Sequence, residues 1–545
     1  MHQPPTFRGA FRTDSGALAV YAESAGIARA EPLAVAVPAD ADDVVTLVQW
    51  AHHSGTPLIP RGSGSSMAAG AVGRGVVVDL SRLNTIDPVD VARRTVRVGP
   101  GALRAAVDDA AAAYGLRFPP DPSSGTYCTL GGMAATNAAG AHTLKYGATR
   151  PWVVALDCVF DDGTRAVIRR GAAVPAQVPA VARLMDVADE LRAGERRAPS
   201  VRAGVRKESS GYALAPWAAS GELVDLLVGS EGTLALFVGL ELALTGRPGA
   251  TASAFATFAT LEAAVLAAAA ARDAGASACE LLDRTFLDVV AGSAHAPTLP
   301  EGTEAVLLAE VEAPTVARAA DQARALDAAF AAAGATRVAL ALEPLAEAEL
   351  WEVRHAASPI LSRLDPDLKS MQFVEDGAVP PAALPAYVRG VRAALARHGV
   401  RGVIFGHAGD AHVHVNPLVD VRRPDWRHTV EALLEEVTVL VAQLGGTLAG
   451  EHGDGRLRAP LLPRVWSADA VERFALVKRT FDPRGILNPG AKVALPGQAP
   501  APRIKYDPAL PPIPAEARRV LDTVERERAY ARFRLEMLDA AGTGR

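Results

Sequence analysis

Four histidines and three carboxylates fall in two short glycine-rich runs of this chain. The first, residues 406–414, reads Gly406-His407-Ala408-Gly409-Asp410-Ala411-His412-Val413-His414. The second, residues 450–455, reads Gly450-Glu451-His452-Gly453-Asp454-Gly455. A third of the twelve histidines lie in these runs, which marks them as chemically specialised. Imidazole and carboxylate together suit a borderline-hard divalent cation. A histidine left over beside such a cation can act as a base. The plain alternative is two glycine turns that happen to be polar, but His and Asp are seldom buried together without a partner or a purpose.

Each run follows an apolar stretch, Val403-Ile404-Phe405 and Thr447-Leu448-Ala449. The pattern therefore predicts that the ionisable side chains stand at the ends of buried strands or in the turns after them. Around the first run the spacing predicts a helix over 380–398, a strand over 402–405 and a helix over 427–444. Upstream it predicts a helix over 261–275, a strand over 305–311, a helix over 316–333 and a strand over 337–342. This rhythm is that of an α+β domain. The first half alternates strand and helix. Acidic residues Asp40, Asp42 and Asp43 open a helix, and Asp161-Asp162-Gly163 forms a hairpin turn between two strands.

Two further segments are suited to a phosphate-bearing ligand. Pro60-Arg61-Gly62-Ser63-Gly64-Ser65-Ser66 follows a predicted strand, and its small residues let backbone amides approach an anion closely. Arg61 is expected to add positive charge there. The loop lacks the Gly-Lys-Ser/Thr ending of a Walker loop and is not a Gly-x-Gly-x-x-Gly fingerprint. The second segment runs through Pro120-Asp121-Pro122-Ser123-Ser124, Cys128-Thr129-Leu130-Gly131-Gly132 and Asn137-Ala138-Ala139-Gly140. Its lack of large side chains suits a long flat ligand lying against the backbone. Together the two segments favour a dinucleotide-sized cofactor.

The 545 residues are too many for one ordinary core and predict two or three domains. A net charge of −5 gives no sign of a nucleic-acid footprint. Cys128, Cys158 and Cys279 stand far apart, so neither a cysteine-ligated iron–sulfur cluster nor a disulfide framework is expected. The N-terminus has no signal-peptide core, and no apolar run is long enough to span a membrane. A cytoplasmic protein is the expectation.

Taken in order, these motifs resemble FAD-linked D-2-hydroxyacid dehydrogenases: bacterial glycolate oxidase large subunits, D-lactate dehydrogenases and D-2-hydroxyglutarate dehydrogenases. The resemblance also rests on Lys145-Tyr146-Gly147-Ala148-Thr149-Arg150, Lys207-Glu208-Ser209-Ser210-Gly211-Tyr212, Gly229-Ser230-Glu231-Gly232-Thr233-Leu234 and the segment ending Leu487-Asn488-Pro489-Gly490. Phe373-Val374-Glu375-Asp376 and the 450–456 run look most like the FAD part of a subgroup fused to an iron–sulfur domain. The resemblance implies an α+β fold: a two-lobed FAD-binding domain of the vanillyl-alcohol oxidase type and a substrate domain with an antiparallel sheet. The implied organisation is an extension (1–30), an FAD-binding domain (31–248), a substrate domain (249–470), a segment returning to the FAD site (471–495), and a Pro-rich linker with a charged docking helix (496–545).

By the same resemblance, FAD would be bound noncovalently by Arg61, Gly62, Ser63, Gly64, Ser65, Ser66, Pro122, Ser123, Cys128, Gly131, Gly132, Asn137, Gly140, Tyr146, Gly147, Glu231, Gly232 and Asn488. His407, His414 and Glu451 would ligate a divalent metal, Zn or Mn. His452 would be the base, and Arg354 would hold the substrate carboxylate, with Arg456 and Arg458 as weaker candidates. His412 stands where the family usually has Asn; it is open to being a ligand, a substrate contact or a packed non-ligand, and the last is favoured. The implied activity is oxidation of a D-2-hydroxy acid (D-lactate, glycolate or D-2-hydroxyglutarate) to the 2-oxo acid. Electrons would pass to a separate iron–sulfur or other acceptor, which could place the protein at the inner membrane's edge, and a homodimer is compatible. The competing readings are a metal-independent flavin oxidase of phenols or other alcohols, and a non-catalytic electron-transfer subunit.

Overall fold

The computed structural model describes residues 3–291, 296–361, 367–501 and 503–542. Residue 502 of the Pro-rich segment and the last three residues of the tail lie outside the described residues.

The first half builds two small sheets. In one, Ala34–Val37, Val76–Asp79 and Leu58–Arg61 run parallel, and Ala10–Arg12 adds an antiparallel edge. All four residues of Ala34–Val37 and of Val76–Asp79 are buried, as expected of strands covered on both faces. The helix Ala41–Ser54 links Ala34–Val37 to Leu58–Arg61. Asp40 caps it by accepting from the Asp42 and Asp43 amides, and Gly55 ends it at φ 70°. The second sheet is antiparallel, in the order Thr95–Val98, Leu236–Ala243, Val153–Val159, Arg165–Arg169. The hairpin expected at Asp161-Asp162-Gly163 joins its last two strands.

The second half is dominated by a large antiparallel sheet. Its order is Arg337–Ala341, Ala250–Phe258, Ala305–Ala313, Ala278–Asp283, Arg401–Gly406, His412–Asp420, Leu368–Ser370. Helices including Leu261–Asp273 and Val316–Ala332 pack onto it. Every residue of Ala305–Ala313 is buried. Each of its large aliphatic side chains contributes about 1.5–3 kcal/mol by leaving water, so the centre of this sheet is a rigid platform. The α+β architecture, with an antiparallel sheet in the second half, is the one the sequence implied.

Two local readings need correction. Thr447-Leu448-Ala449 is not a strand; it makes a single bridge between Thr447 and Ala378. The charged tail is not one helix with an external dock. It is two helices, Ala515–Glu527 and Arg534–Gly542, broken at Arg528 (φ 54°). Val520, Val524, Leu535 and Leu538 bury themselves against the chain's own first helix, Ser15–Tyr21. Among the described residues, no helix is long and apolar enough to cross a membrane.

Candidate active site

A cavity of about 1000 Å³ runs between the halves. One end is lined by the loop of residues 62–66. The middle is lined by Pro122, Ser123, Cys128, Gly131, Gly132 and Gly140, and the far end by Arg354, His407, His414, Glu451 and His452. Motifs hundreds of residues apart thus share one wall. The carbonyls of Gly64 and Ser66 accept from Ala25 and Gly26. Among the described residues, no amide of 62–66 donates to a protein acceptor, so the loop keeps the donors an anion would use. Gly64 sits at φ +75°, and a Cβ there would lie 2.3 Å from the Arg61 guanidinium. This small-residue cradle fits a pyrophosphate.

Several residues expected to bind the cofactor are bonded to the walls of the cavity. Arg61 is buried and lines the cavity, and its guanidinium donates to the backbone carbonyls of Tyr21, Glu23 and Ala71. Asn137, at φ 53°, ends the helix Leu130–Thr136 and accepts from the Arg150 amide. Tyr146 bonds Glu312, and neither it nor Gly147 lines the cavity. Asn488 donates to the carbonyls of Gly70 and Glu231 and also stands outside the cavity. Glu231 and Gly232 do line it, but the Glu231 carboxylate accepts from the Asp454 and Gly455 amides at 2.8 and 2.9 Å and pairs with Lys492. It therefore ties the first half to the second histidine run. Glycine-rich loops leave carbonyls that need donors, and Arg61 and Asn488 supply them.

At the far end, the hairpin of Arg401–Gly406 and His412–Asp420 presents three imidazoles, with one 3-10 turn, Ala408–Asp410, between them. Each ring has one nitrogen bound to a fixed acceptor. His407 Nδ1 bonds Glu280 at 2.6 Å, His412 Nε2 bonds Asp376 at 2.9 Å, and His414 Nδ1 bonds the Glu375 carbonyl at 3.0 Å. The other nitrogens converge on Glu451. His407 Nε2 and His414 Nε2 lie 3.3 and 3.4 Å from its Oε1, and His412 Nδ1 lies 4.0 Å from its Oε2. Lys207 pairs with the same Oε2 at 2.8 Å. One ligand atom from each of the four residues falls within 4.8 Å of the others, compact enough for one cation. Asp376, His414, Glu451 and His452 form a second, overlapping set.

His452 stacks on His414 with ring centroids 5.3 Å apart. Its Nδ1 is 3.3 Å from Glu375 and its Nε2 is 3.7 Å from Glu451. Burial opposes its charge, but Asp376, Glu375 and Glu451 outweigh burial and push its pKa up to about 9. His407 is also raised: burial lowers it, and the Glu280 carboxylate more than compensates. His412 is held down at about 3 by burial, so it is a neutral imidazole.

Arg354 is neither exposed nor surface-paired. It is buried, its Nε donates to Glu280 at 2.6 Å, and its guanidinium lies over Phe405 and lines the cavity. Arg456 and Arg458 do not line it. Arg456 donates to backbone carbonyls around Gly70, and Arg458 is sealed against Glu375. Residues that sequence reasoning gave no role, Glu280, Lys369, Asn416 and Glu375, line the same end. His142, clamped between Asp121 (2.5 Å) and Glu310 (2.7 Å), also lines the cavity, as do Asp522, Arg526, Arg528 and Tyr530 of the tail, with Arg528 and Tyr530 against Tyr127.

Comparison with known proteins follows the same division. The model described as "FAD binding domain" matches residues 32–169, and that described as "FAD linked oxidases, C-terminal domain" matches residues 247–491. Glycolate oxidase subunit GlcD of Bacillus subtilis (strain 168) is 30% identical over 470 residues, covering 85% of this chain and 89% of that protein. A D-lactate dehydrogenase of Archaeoglobus fulgidus is 29% identical, covering 85% and 92%. A D-2-hydroxyglutarate dehydrogenase of Pseudomonas putida is 30% identical over 89% of this chain and 50% of that protein. The solved 4-ethylphenol oxidase from Gulosibacter chungangensis shares the fold, with a TM-score of 0.64 at 15% identity over 89% of this chain and 94% of that one.

Proposed function

The chain belongs to the FAD-linked D-2-hydroxyacid dehydrogenase family, and from that premise we propose that it oxidises a D-2-hydroxy acid of the lactate, glycolate or 2-hydroxyglutarate class with the help of a divalent cation. The carrying observation is the convergence of His407, His414 and Glu451 at the end of a cavity whose other end is an anion-ready glycine loop. FAD, when bound, supplies the acceptor for the C2 hydrogen and its electron pair, and a cation on His407, His414 and Glu451 supplies a Lewis acid for the substrate hydroxyl.

The remaining work falls to this chain's side chains. His452 Nε2, facing Glu451, is placed to take the hydroxyl proton. Glu375 at Nδ1 fixes the ring and stabilises the imidazolium that forms. Arg354, held rigid by Glu280, is placed to clamp the substrate carboxylate and align C2. Lys369 and Asn416 offer a second cation and an amide on the same wall. A separate polypeptide would take the electrons onward, in keeping with the GlcD relatives being named as subunits.

The test is anaerobic flavin bleaching against a panel of D- and L-2-hydroxy acids, with and without chelator. Bleaching by one D-acid that chelator abolishes and added cation restores is expected. Bleaching by phenols, or chelator-insensitive bleaching, would overturn the reading.

A further inference from the structure

The sequence leaves His412 open between ligand, substrate contact and packed residue; the strand His412–Asp420 begins at it, so His412 and His414 share one face. It is fully buried, and its Nδ1 has no hydrogen-bond partner. With Nε2 donating to the ionised Asp376, Nδ1 carries a bare lone pair in the protein interior. An unsatisfied buried acceptor of this kind destabilises a fold by about 1–3 kcal/mol. A histidine kept only for packing would have both nitrogens satisfied or its ring turned. The one nearby cationic side chain, Lys207, donates to Gly140 and Glu451 instead.

We propose that His412 is a fourth ligand to the cation, through Nδ1, so that three imidazoles and one carboxylate surround it. The inference rests on the metal-assisted reading above. His412 is built as His407 and His414 are: one nitrogen anchored to an acceptor, the other aimed at Glu451. Anchoring of the distal nitrogen by a carboxylate is what orients metal-ligating histidines in general. Gly450 leaves room for this ring, since a Cβ there would lie 2.8 Å from His412 Nε2. The chemical consequence is selectivity. A third imidazole moves the site toward Zn²⁺, Fe²⁺ or Co²⁺ and away from the oxygen-preferring Mn²⁺ and Mg²⁺.

The test strips FAD-loaded wild type, His412→Gln and His407→Gln with chelator, then titrates each with Zn²⁺ and with Mn²⁺. His412→Gln is expected to weaken Zn²⁺ at least tenfold and to narrow the Zn²⁺-over-Mn²⁺ preference. X-ray absorption on Zn²⁺-loaded wild type is expected to count three imidazoles, and this needs no variant to fold. Loss of Zn²⁺ in His407→Gln but not in His412→Gln, or a count of two imidazoles, overturns the role of His412 alone. A wild type that takes up no cation overturns both this role and the reading beneath it.

Discussion

On the proposed reading, Glu280 is where the metal and substrate functions would meet, and its replacement by Gln is the sharpest perturbation available. Its carboxylate is fully buried; Oε1 holds His407 Nδ1 at 2.6 Å and Oε2 holds Arg354 Nε at 2.6 Å. Glutamine keeps the shape, removes the charge and turns a donor toward one of two N–H groups. Two charge-assisted bonds of roughly 1.5–3 kcal/mol each are at stake. Leaving Arg354 buried without its counter-charge destabilises by about 3–5 kcal/mol. Arg354 borders the cavity, where water relieves part of this, so about 3 kcal/mol is the working figure. At His407 the loss is orientation, which weakens a metal site about 10- to 100-fold, equivalent to about 1.4–2.7 kcal/mol.

The expected phenotype is therefore double: weaker cation binding by chelator competition, and a raised KM because Arg354 is no longer fixed. Burial opposes ionisation of Glu280, but His407 and Arg354 overcome it and hold the carboxyl well below its usual range. Its contribution is thus complete above the ordinary carboxylate pKa and is lost only as pH falls below it. Because Glu280 is also what raises His407, the defect in cation binding should widen as pH rises and wild-type His407 gives up its proton. Glu436→Gln, which removes a partly exposed pair with Arg397 and His398, serves as the control at about 0–1 kcal/mol. A Glu280→Gln enzyme that binds cation as the wild type does, or loses only one of the two functions, would refute the coupling.

Three other outcomes follow from the same geometry. The raised pKa of His407 and the His452 value of about 9 mean that cation uptake displaces protons, so affinity should climb as pH rises from about 6 toward 9; a flat affinity in a pH-stat titration contradicts this. His452→Asn should retain FAD and cation while kcat falls about 10²- to 10⁴-fold, and unchanged turnover in stopped-flow bleaching excludes it as the base. Removing residues 515–545 should uncover the first helix and the cavity rim formed by Arg528 and Tyr530. It should lower the melting temperature and speed FAD release, both readable from flavin fluorescence; a truncated chain that holds FAD as tightly rules out the rim role.

The α+β class and the strand leading into the first histidine run were legible because periodicity and glycine spacing are local signals. The candidate ligands were legible for the same reason: a histidine pair spaced across one hairpin and a Glu-His pair in one turn. What was not legible arrives from distant strands. Glu280 lies in Ala278–Asp283, where every position is buried. A carboxylate inside an otherwise apolar strand was the available signal. Glu375, Asp376 and Lys207 stood in motifs that supported the resemblance but suggested no role. Arg61 and Asn488, expected beside FAD, also donate to backbone carbonyls of the protein, and for one reason. Loops that bring backbone close to a ligand strip their own carbonyls of partners, and nearby donors are drawn inward to satisfy them.

The charge around Glu451 explains why these parts belong together. Four buried carboxylates, Glu280, Glu375, Asp376 and Glu451, face three permanent cations, Lys207, Arg354 and Arg458. The surplus negative charge is what draws a proton onto His452. A divalent cation on Glu451 would reverse the surplus and release that proton, making His452 a base only when the Lewis acid is in place. The site would then carry one unmatched positive charge, which the carboxylate of a 2-hydroxy acid neutralises and a phenol or simple alcohol does not. On the proposed reading, selection for a hydroxy acid would thus arise from the buried charge balance as well as from Arg354. Neutralising Arg458, which touches neither cavity nor ligand, should deepen the negative surplus and hold the proton on His452 to higher pH. A rate profile shifted upward in Arg458→Met would carry that signature, whereas loss of a purely structural contact would lower the rate at every pH alike.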